Sequence, residues 1–366
     1  MRIQPRILRR QVIARNARAR TPRALRALAL GWVAIALWAC AAAPPPIYEP
    51  RGPDVRLSLL ALGDWGRLPK NGDAPPKQLR VGQALADEDR RAPADALVFV
   101  GDNFYPHGLE ADELEPRLRA NLVAPYCHFL RLTELGARAL GDACPEPESR
   151  RHPLPLWVVL GNHDYTSDSS IELQRRRVPD YVPNWRLLGL PVETLELPQG
   201  VSLIFFDSTA LRLPSRASQL PLLTRALRES RGPWRILIAH HPIDFKDVSH
   251  GIEGALANAG VRAQLLLVGH IHDLRAAALD APLPALQLIT GGGGGDESNH
   301  KTLQNQLWQL KSTGFARIDL VGGAGADHLR LRVFAVSASD VPRVVAAWSL
   351  ALDGALSPET LTAEHR

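Results

Sequence analysis

Five short clusters of carboxylates, amides, imidazoles and one phenol recur along this chain, and each closes an apolar run of strand length. Gly101-Asp102-Asn103-Phe104-Tyr105 follows Ala96 to Val100. Gly63-Asp64-Trp65-Gly66 follows Leu57 to Leu62, and Gly161-Asn162-His163-Asp164 follows Trp157 to Leu160. His240-His241-Pro242 follows Ile236 to Ala239, and Gly269-His270-Ile271-His272 follows Leu265 to Val268. One Gly-Asp after a strand is ordinary turn chemistry. Five such endings mean more, because a parallel sheet collects its strand ends on one edge, where open α/β sheets hold their ligands. The clusters are therefore expected to converge.

The donors they offer are Asp64, Asp102, Tyr105, Asn162, His240, His270 and His272, all oxygen or nitrogen with no thiolate. Imidazole with carboxylate suits iron, zinc or manganese more than calcium. Seven donors exceed what one ion needs, which points to two. Ions about 4 Å apart share a bridging carboxylate, clamp a phosphoryl oxygen and generate a hydroxide nucleophile near neutral pH. Asp102, central in the set, is the natural bridge.

Positioning these groups takes a frame of alternating strands and helices. Val55 to Leu62 is a strand, and Lys77 to Arg90 has helical spacing, with Leu79, Val81 and Leu85 on one side. Ala111 to Val123 is a second helix, Pro125 to Pro155 a Pro-, Arg- and Cys-containing insertion, and Leu156 to Leu160 a strand. Residues 165–198 carry several prolines and are expected to be irregular. Val201 to Phe206, Arg235 to Ala239, Gln264 to Val268 and Pro284 to Thr290 are strands, with a helix at Ser218 to Ser230. Gly314 to Leu350 alternates apolar and polar residues, the pattern of antiparallel strands. Strand–helix order followed by an all-strand ending predicts an α/β fold, a four-layer αββα sandwich of two mixed β-sheets. Its dimetal site would lie at the C-terminal ends of the strands.

With 366 residues, 45% of them hydrophobic, the chain has the material for a sizeable core. A sequence pI near 9.4 suggests a nucleic acid or a membrane as partner. The location of the charge argues otherwise. Residues 1–40 hold nine of the 43 Lys+Arg and no Asp or Glu, leaving 34 basic against 38 acidic residues beyond them. No basic patch interleaved with aromatics appears there, so nucleic-acid binding is set aside.

Residues 1–40 run from an Arg-rich start through the apolar Ala27 to Ala39 to Cys40, the order of an export signal, and the apolar part is short for a membrane span. Leu37-Trp38-Ala39-Cys40 resembles a bacterial lipobox, which would make Cys40 a lipidated first residue. An ordinary cleaved signal or an uncleaved anchor also fits, and Arg9-Arg10 resembles a twin-arginine motif. The expected organisation is signal 1–40, an Ala/Pro-rich tether 41–54, a catalytic domain 55–350 and a tail 351–366, in the periplasm or envelope. Any membrane contact would come from the lipid anchor alone. Cys127 and Cys144 remain and can pair within the insertion.

The five blocks, in this order, resemble those of the metallophosphoesterases, and Tyr105, three residues after Asp102, resembles the mark of their purple acid phosphatase branch. Gly63-Asp64-Trp65-Gly66 with Gly101 to Tyr105 is most similar to the small tartrate-resistant type. The resemblance covers roughly residues 55–300. It implies an Fe(III) on Asp64, Asp102, Tyr105 and His272, and a divalent ion (Fe, Zn or Mn) on Asp102, Asn162, His240 and His270. It also implies that His163 contacts phosphate or protonates the leaving group, with Asp164 orienting it. His240, two residues before the proline, matches the family's ligand better than His241 does. His241 and Tyr165 depart from the mammalian pattern of Tyr and His. His107 and Asn103 are candidates for the substrate pocket, as is His300. Gly291 to Gly295 either lets backbone approach the site or is a flexible run, and it lacks the Lys-Ser/Thr of a nucleotide loop. The implied activity is acid phosphatase hydrolysis of phosphomonoesters, on a phosphorylated small molecule or phosphoprotein. A phosphodiesterase of the same fold and a non-catalytic surface module are the alternatives.

Overall fold

In a computed structural model of the chain, residues 52, 54–213, 216–295, 305–322, 326–337 and 342–361 are described. The export signal with Cys40, most of the tether and His300 lie outside them. Four strands open the fold: β1 (Val55–Leu62), β2 (Ala96–Val100), β3 (Leu156–Val159) and β4 (Trp185–Leu187). The chain then builds a second sheet from β5 (Val192–Leu197), β6 (Val201–Phe206), β7 (Trp234–Ile238), β8 (Leu265–Val268), β9 (Leu274–Ala278), β10 (Leu286–Thr290) and β11 (Gln306–Leu310). It returns to the first sheet with β12 (Gly314–Val321), β13 (His328–Ala335), β14 (Arg343–Ala351) and β15 (Leu356–Pro358). The strand orders are β15-β14-β13-β12-β1-β2-β3-β4 and β11-β9-β10-β8-β7-β6-β5. β1, β2, β3 and β4 run parallel, as do β6, β7, β8 and β10, while the outer strands pair antiparallel. Both sheets are mixed, as predicted.

The period of two along each strand separates three cores and so makes the four layers. Leu59 and Ala61 of β1 face inward with Phe205, Ile238 and Leu267 of the second sheet, forming the core between sheets. Leu60 and Leu62 face outward onto Val81 and Leu85 of the helix Pro76–Arg91, together with Tyr126 and Phe129. Leu237 and Leu266 face the opposite way, onto Leu223 and Leu227 of the helix Arg216–Glu229 and onto Ile252 and Leu256 of the helix Lys246–Ala259. The sequence pattern alone does not announce that last helix. Its apolar residues have helical spacing and Gly260 caps it at φ 67°, but Gly251 and Gly254 dilute its helical propensity.

Several sequence expectations need correcting. Leu79 is exposed and does not share the inward face of Val81 and Leu85. The helix expected at Ala111 to Val123 instead runs from Leu114 to Tyr126, with a π-helical turn at Leu118–Val123. The insertion is a packed part of the fold: Phe129, Leu130, Leu140 and Leu154 join the core outside the first sheet, and Cys127 and Cys144 are joined by a disulfide with a Cα–Cα distance of 5.3 Å. Residues 165–198 are not irregular, since they contain short helices as well as β4 and β5. The sheet also extends past residue 350, because β15 pairs with β14 through Leu350↔Leu356 and Trp348↔Pro358. Among the described residues, no helix is long and apolar enough to cross a membrane.

Candidate dimetal centre

The five clusters leave the C-terminal ends of β1, β2, β3, β7 and β8, and backbone bonds tie their loops together. The Asp64 N–H donates to the Gly101 carbonyl (3.0 Å), the Tyr105 N–H to Gly66 (2.8 Å) and the Gly269 N–H to His240 (3.0 Å). Arg117, buried and unmarked by any motif, donates to the carbonyls of both Gly66 (2.9 Å) and Tyr105 (2.8 Å). Asp64, Asp102 and His270 each hold a left-handed backbone, at φ 61°, 51° and 69°. That conformation is uncommon outside glycine and concentrates where function sets the geometry. Neighbouring glycines let the chain pass beneath the ligands: a Cβ on Gly161 would stand 2.1 Å from Asp102 Oδ1, and one on Gly295 would stand 2.8 Å from His272 Nδ1. The five-glycine run therefore serves close approach, with the N–H groups of Gly293 and Gly295 bonded to the carbonyls of Gly63 and Asp64.

The donors converge as two overlapping sets. Tyr105 Oη lies 3.0 Å from Asp64 Oδ1, 2.8 Å from Asp102 Oδ2 and 2.9 Å from His272 Nε2. On the other side of Asp102, His240 Nε2 stands 3.3 Å from Asp102 Oδ1 and 3.2 Å from His270 Nδ1. His240 Nδ1 meets the Val100 carbonyl at 2.9 Å, which orients the ring so that Nε2 faces the cluster.

These residues fit two cations. The Tyr105 hydroxyl has a single proton to offer two carboxylates and an imidazole, and burial with the charges of Asp64 and Asp102 pushes its ionisation well above the usual range. Asn162 Oδ1 is buried without a hydrogen-bond partner, which is costly unless something positive faces it. Asp102 is 1% exposed, and although burial opposes its charge, His240 and His163 hold it well below the usual carboxylate range.

His163 is placed beside this set, not within it. Its Nδ1 lies 2.7 Å from the Pro106 carbonyl, which accepts the Nδ1 hydrogen and leaves Nε2 for proton exchange. Nε2 is 4.0 Å from Asp102 Oδ2, and the ring packs on Tyr105 with centroids 4.4 Å apart. Asp164 therefore does not orient His163 as expected; the Pro106 carbonyl does. Asp164 is fully buried and accepts from the N–H groups of Gly161 (2.9 Å) and Asn103 (3.1 Å) and from Gln174 Nε2 (2.9 Å), stapling two of the loops. Burial, then the charge of Asp102, raises its pKa to about 6.

Asn103 also needs correcting. It is fully buried, and its amide donates to the Val159 carbonyl (2.9 Å) and to Gln174 Oε1 (3.1 Å), so it faces the interior and no substrate. His107 is exposed two residues after Tyr105, and the structure does not bring it into the network of donors. His241 stacks near His270 with centroids 4.6 Å apart, yet both of its ring nitrogens are engaged. Arg212, which can only donate, meets Nε2 at 2.9 Å, so Nδ1 carries the hydrogen facing Ser208 Oγ at 3.0 Å. His241 therefore buttresses Arg212 at the rim. Neither Ser208 nor Arg212 lies in a recognisable block, and no local sequence signal marks them.

A four-layer α/β fold that gathers seven oxygen and nitrogen donors on one rim defines a candidate dimetal protein. Residues 57–274 match the Calcineurin-like phosphoesterase family, and the chain belongs to it. It is 25% identical over 274 residues to Purple acid phosphatase 17 of Arabidopsis thaliana, covering 67% of this chain and 70% of that protein. It is 23% identical over 248 residues to Tartrate-resistant acid phosphatase type 5 of Homo sapiens, covering 60% and 68%. Among solved structures, GAP50, the anchor in the inner membrane complex of Plasmodium, shares the fold with a TM-score of 0.59 at 16% identity, covering 81% of this chain and 89% of that one.

Proposed function

We propose that the chain is an exported acid phosphatase that hydrolyses phosphomonoesters at a centre of Fe(III) and a divalent ion. Tyr105 carries this reading: its hydroxyl sits within 3.0 Å of Asp64, Asp102 and His272, where a phenolate on ferric iron would be held. Asp64, Asp102, Tyr105 and His272 would bind the iron, and Asp102, Asn162, His240 and His270 the divalent ion (Fe, Zn or Mn). Bound, the pair supplies Lewis-acid charge to the phosphoryl group and activates water. His163 Nε2 passes a proton to the leaving oxygen while the Pro106 carbonyl fixes the ring. Arg212 on His241 and Arg67, 5.1 Å above the Tyr105 ring, give the rim positive charge that draws in a phosphorylated small molecule or phosphoprotein. A cavity of about 680 Å³, lined by Arg67, Lys70, Asp73, Lys77 and apolar residues such as Leu68 and Pro75, meets the site at Arg67 and Gly294 and would take the organic part of the ester.

Metal analysis, a visible spectrum and parallel assays on 4-nitrophenyl phosphate and its bis-ester test the proposal. Two ions, a phenolate-to-iron band and faster monoester turnover are expected, and faster diester turnover would make the chain a phosphodiesterase. Tyr105→Phe is expected to bleach the band while both ions stay bound, since six other donors remain. An unchanged spectrum would place iron elsewhere and favour zinc or manganese. We propose in addition that Cys40 is lipidated, which intact mass of the membrane fraction checks; a mature form beginning elsewhere would refute it.

A further inference from the structure

At the opposite edge of the first sheet, where the chain enters β2 and β3, a second group of imidazoles and carboxylates is buried. Asp89 lies in the last turn of the helix Pro76–Arg91, His128 follows the disulfide residue Cys127, and His152 lies four residues before β3. Asp89 Oδ2 is 2.8 Å from His128 Nε2 and 2.9 Å from His152 Nδ1, and the three donor atoms all lie within 4.8 Å of one another. Asp89 is fully buried and His128 nearly so, while the His152 side chain is about one-third exposed.

We propose that Asp89, His128 and His152 form a third cation site, for a divalent ion of zinc type, pinning the disulfide-closed segment to the helix and to the entrance of β3. The surrounding contacts are those of a metal ligand set. His128 Nδ1 faces Glu146 Oε2 at 3.1 Å, and Arg90 pairs with the other Glu146 oxygen. Both nitrogens of His128 thus face carboxylates, yet a neutral imidazole has one N–H. A metal cation on Nε2 satisfies both sides without a second ring proton: Nδ1–H donates to Glu146, the carboxylate–histidine–metal arrangement that orients many zinc ligands. Asp89 is oriented in the same way, its Oδ1 accepting the Ala94 N–H at 2.8 Å.

Spacing and chemistry agree with zinc. Bonds of about 2.0–2.2 Å at tetrahedral angles hold donor atoms roughly 3.3 Å apart, so Asp89 and the two imidazoles need part by only about half an ångström. The donors of the dimetal centre stand equally close, at 2.8–3.0 Å around Tyr105. Two imidazoles and a carboxylate suit zinc better than calcium or magnesium, and the exposed side of His152 leaves room for a water as fourth ligand. Cys127 and Cys144 are joined to each other and offer no thiolate.

The test counts zinc on the full, oxidised protein after equilibrium dialysis, for the wild type and for His152→Ala. His152 is the most exposed of the three, so its removal is the variant best tolerated by the fold. The wild type is expected to bind one zinc more than His152→Ala does, with turnover of 4-nitrophenyl phosphate per dimetal centre unchanged. At about a hundredfold excess over the dissociation constant, zinc should raise the wild-type melting temperature by roughly 5 °C, and His152→Ala should lose that gain. Equal zinc content in the two proteins would overturn the proposal. So would anomalous scattering at the zinc edge that finds no ion between Asp89, His128 and His152 in zinc-soaked wild-type crystals. The count is a difference between proteins that share the dimetal centre, so failure of the phosphatase reading would leave it interpretable.

Discussion

Asp102→Asn is expected to abolish turnover and remove both ions together. Asp102 is the one carboxylate that reaches both donor sets, with Oδ2 2.8 Å from Tyr105 Oη and Oδ1 3.3 Å from His240 Nε2. The substitution keeps the volume and suits the left-handed backbone at φ 51°, where Asn is among the best tolerated residues. What it removes is the negative charge that would oppose the two proposed cations, and an amide would be a poor bridge between them. The fall in turnover should therefore exceed the roughly 10²- to 10⁴-fold that follows loss of a single acid–base group. Metal content by mass spectrometry should fall from two ions to fewer than one, while the circular dichroism spectrum stays native. A variant that kept two ions and measurable activity would remove Asp102 from the bridge.

The contrast with Tyr105→Phe comes from the same geometry. Tyr105 touches one set of donors and its loss would leave Asp102 in place, so on the proposed iron assignment colour and metal content should separate there and fall together at Asp102.

How much of this was legible before the structure depends on whether the signal was local. The five clusters could be found because each follows a strand, and parallel strands bring their ends together whatever the connections do. The alternation of Leu59 and Ala61 with Leu60 and Leu62 likewise announces a strand packed on both faces. Within one cluster the local sequence does not say where each side chain points. Asn162, His163 and Asp164 are consecutive, yet Asn162 Oδ1 is unpartnered, His163 leans on the Pro106 carbonyl and Asp164 is buried beneath both loops. The short 3-10 turn His163–Tyr165, with Asn162 at its N-terminal cap, sends the three side chains different ways. Asn103 misled for a related reason: a polar residue between two ligand positions looks available to substrate, whereas its partners Val159 and Gln174 come from distant segments. The same holds for Arg117, Ser208 and Arg212, whose bonds to Gly66, His240 and His241 cross between segments and whose neighbours in sequence carry no motif.

His163→Ala separates metal binding from proton transfer. The backbone N–H of His163 donates to Asp102 Oδ1 at 2.9 Å, and this contact survives the substitution, so the bridge and both ions should stay. What disappears is the imidazole, held against Tyr105 and tied through Nδ1 to the Pro106 carbonyl, with Nε2 4.0 Å from Asp102 Oδ2. Turnover should fall by roughly 10²- to 10⁴-fold, the range for loss of a general acid or base. The size of the loss should depend on the leaving group. An alkyl phosphate must have its departing alkoxide protonated, whereas nitrophenolate leaves without help, so the loss should be larger on the alkyl ester. An equal loss on both substrates would mean that His163 positions phosphate instead of protonating the leaving oxygen. If metal analysis found the ions gone, His163 would belong among the ligands, and the 4.0 Å separation from Asp102 would have to close when an ion binds.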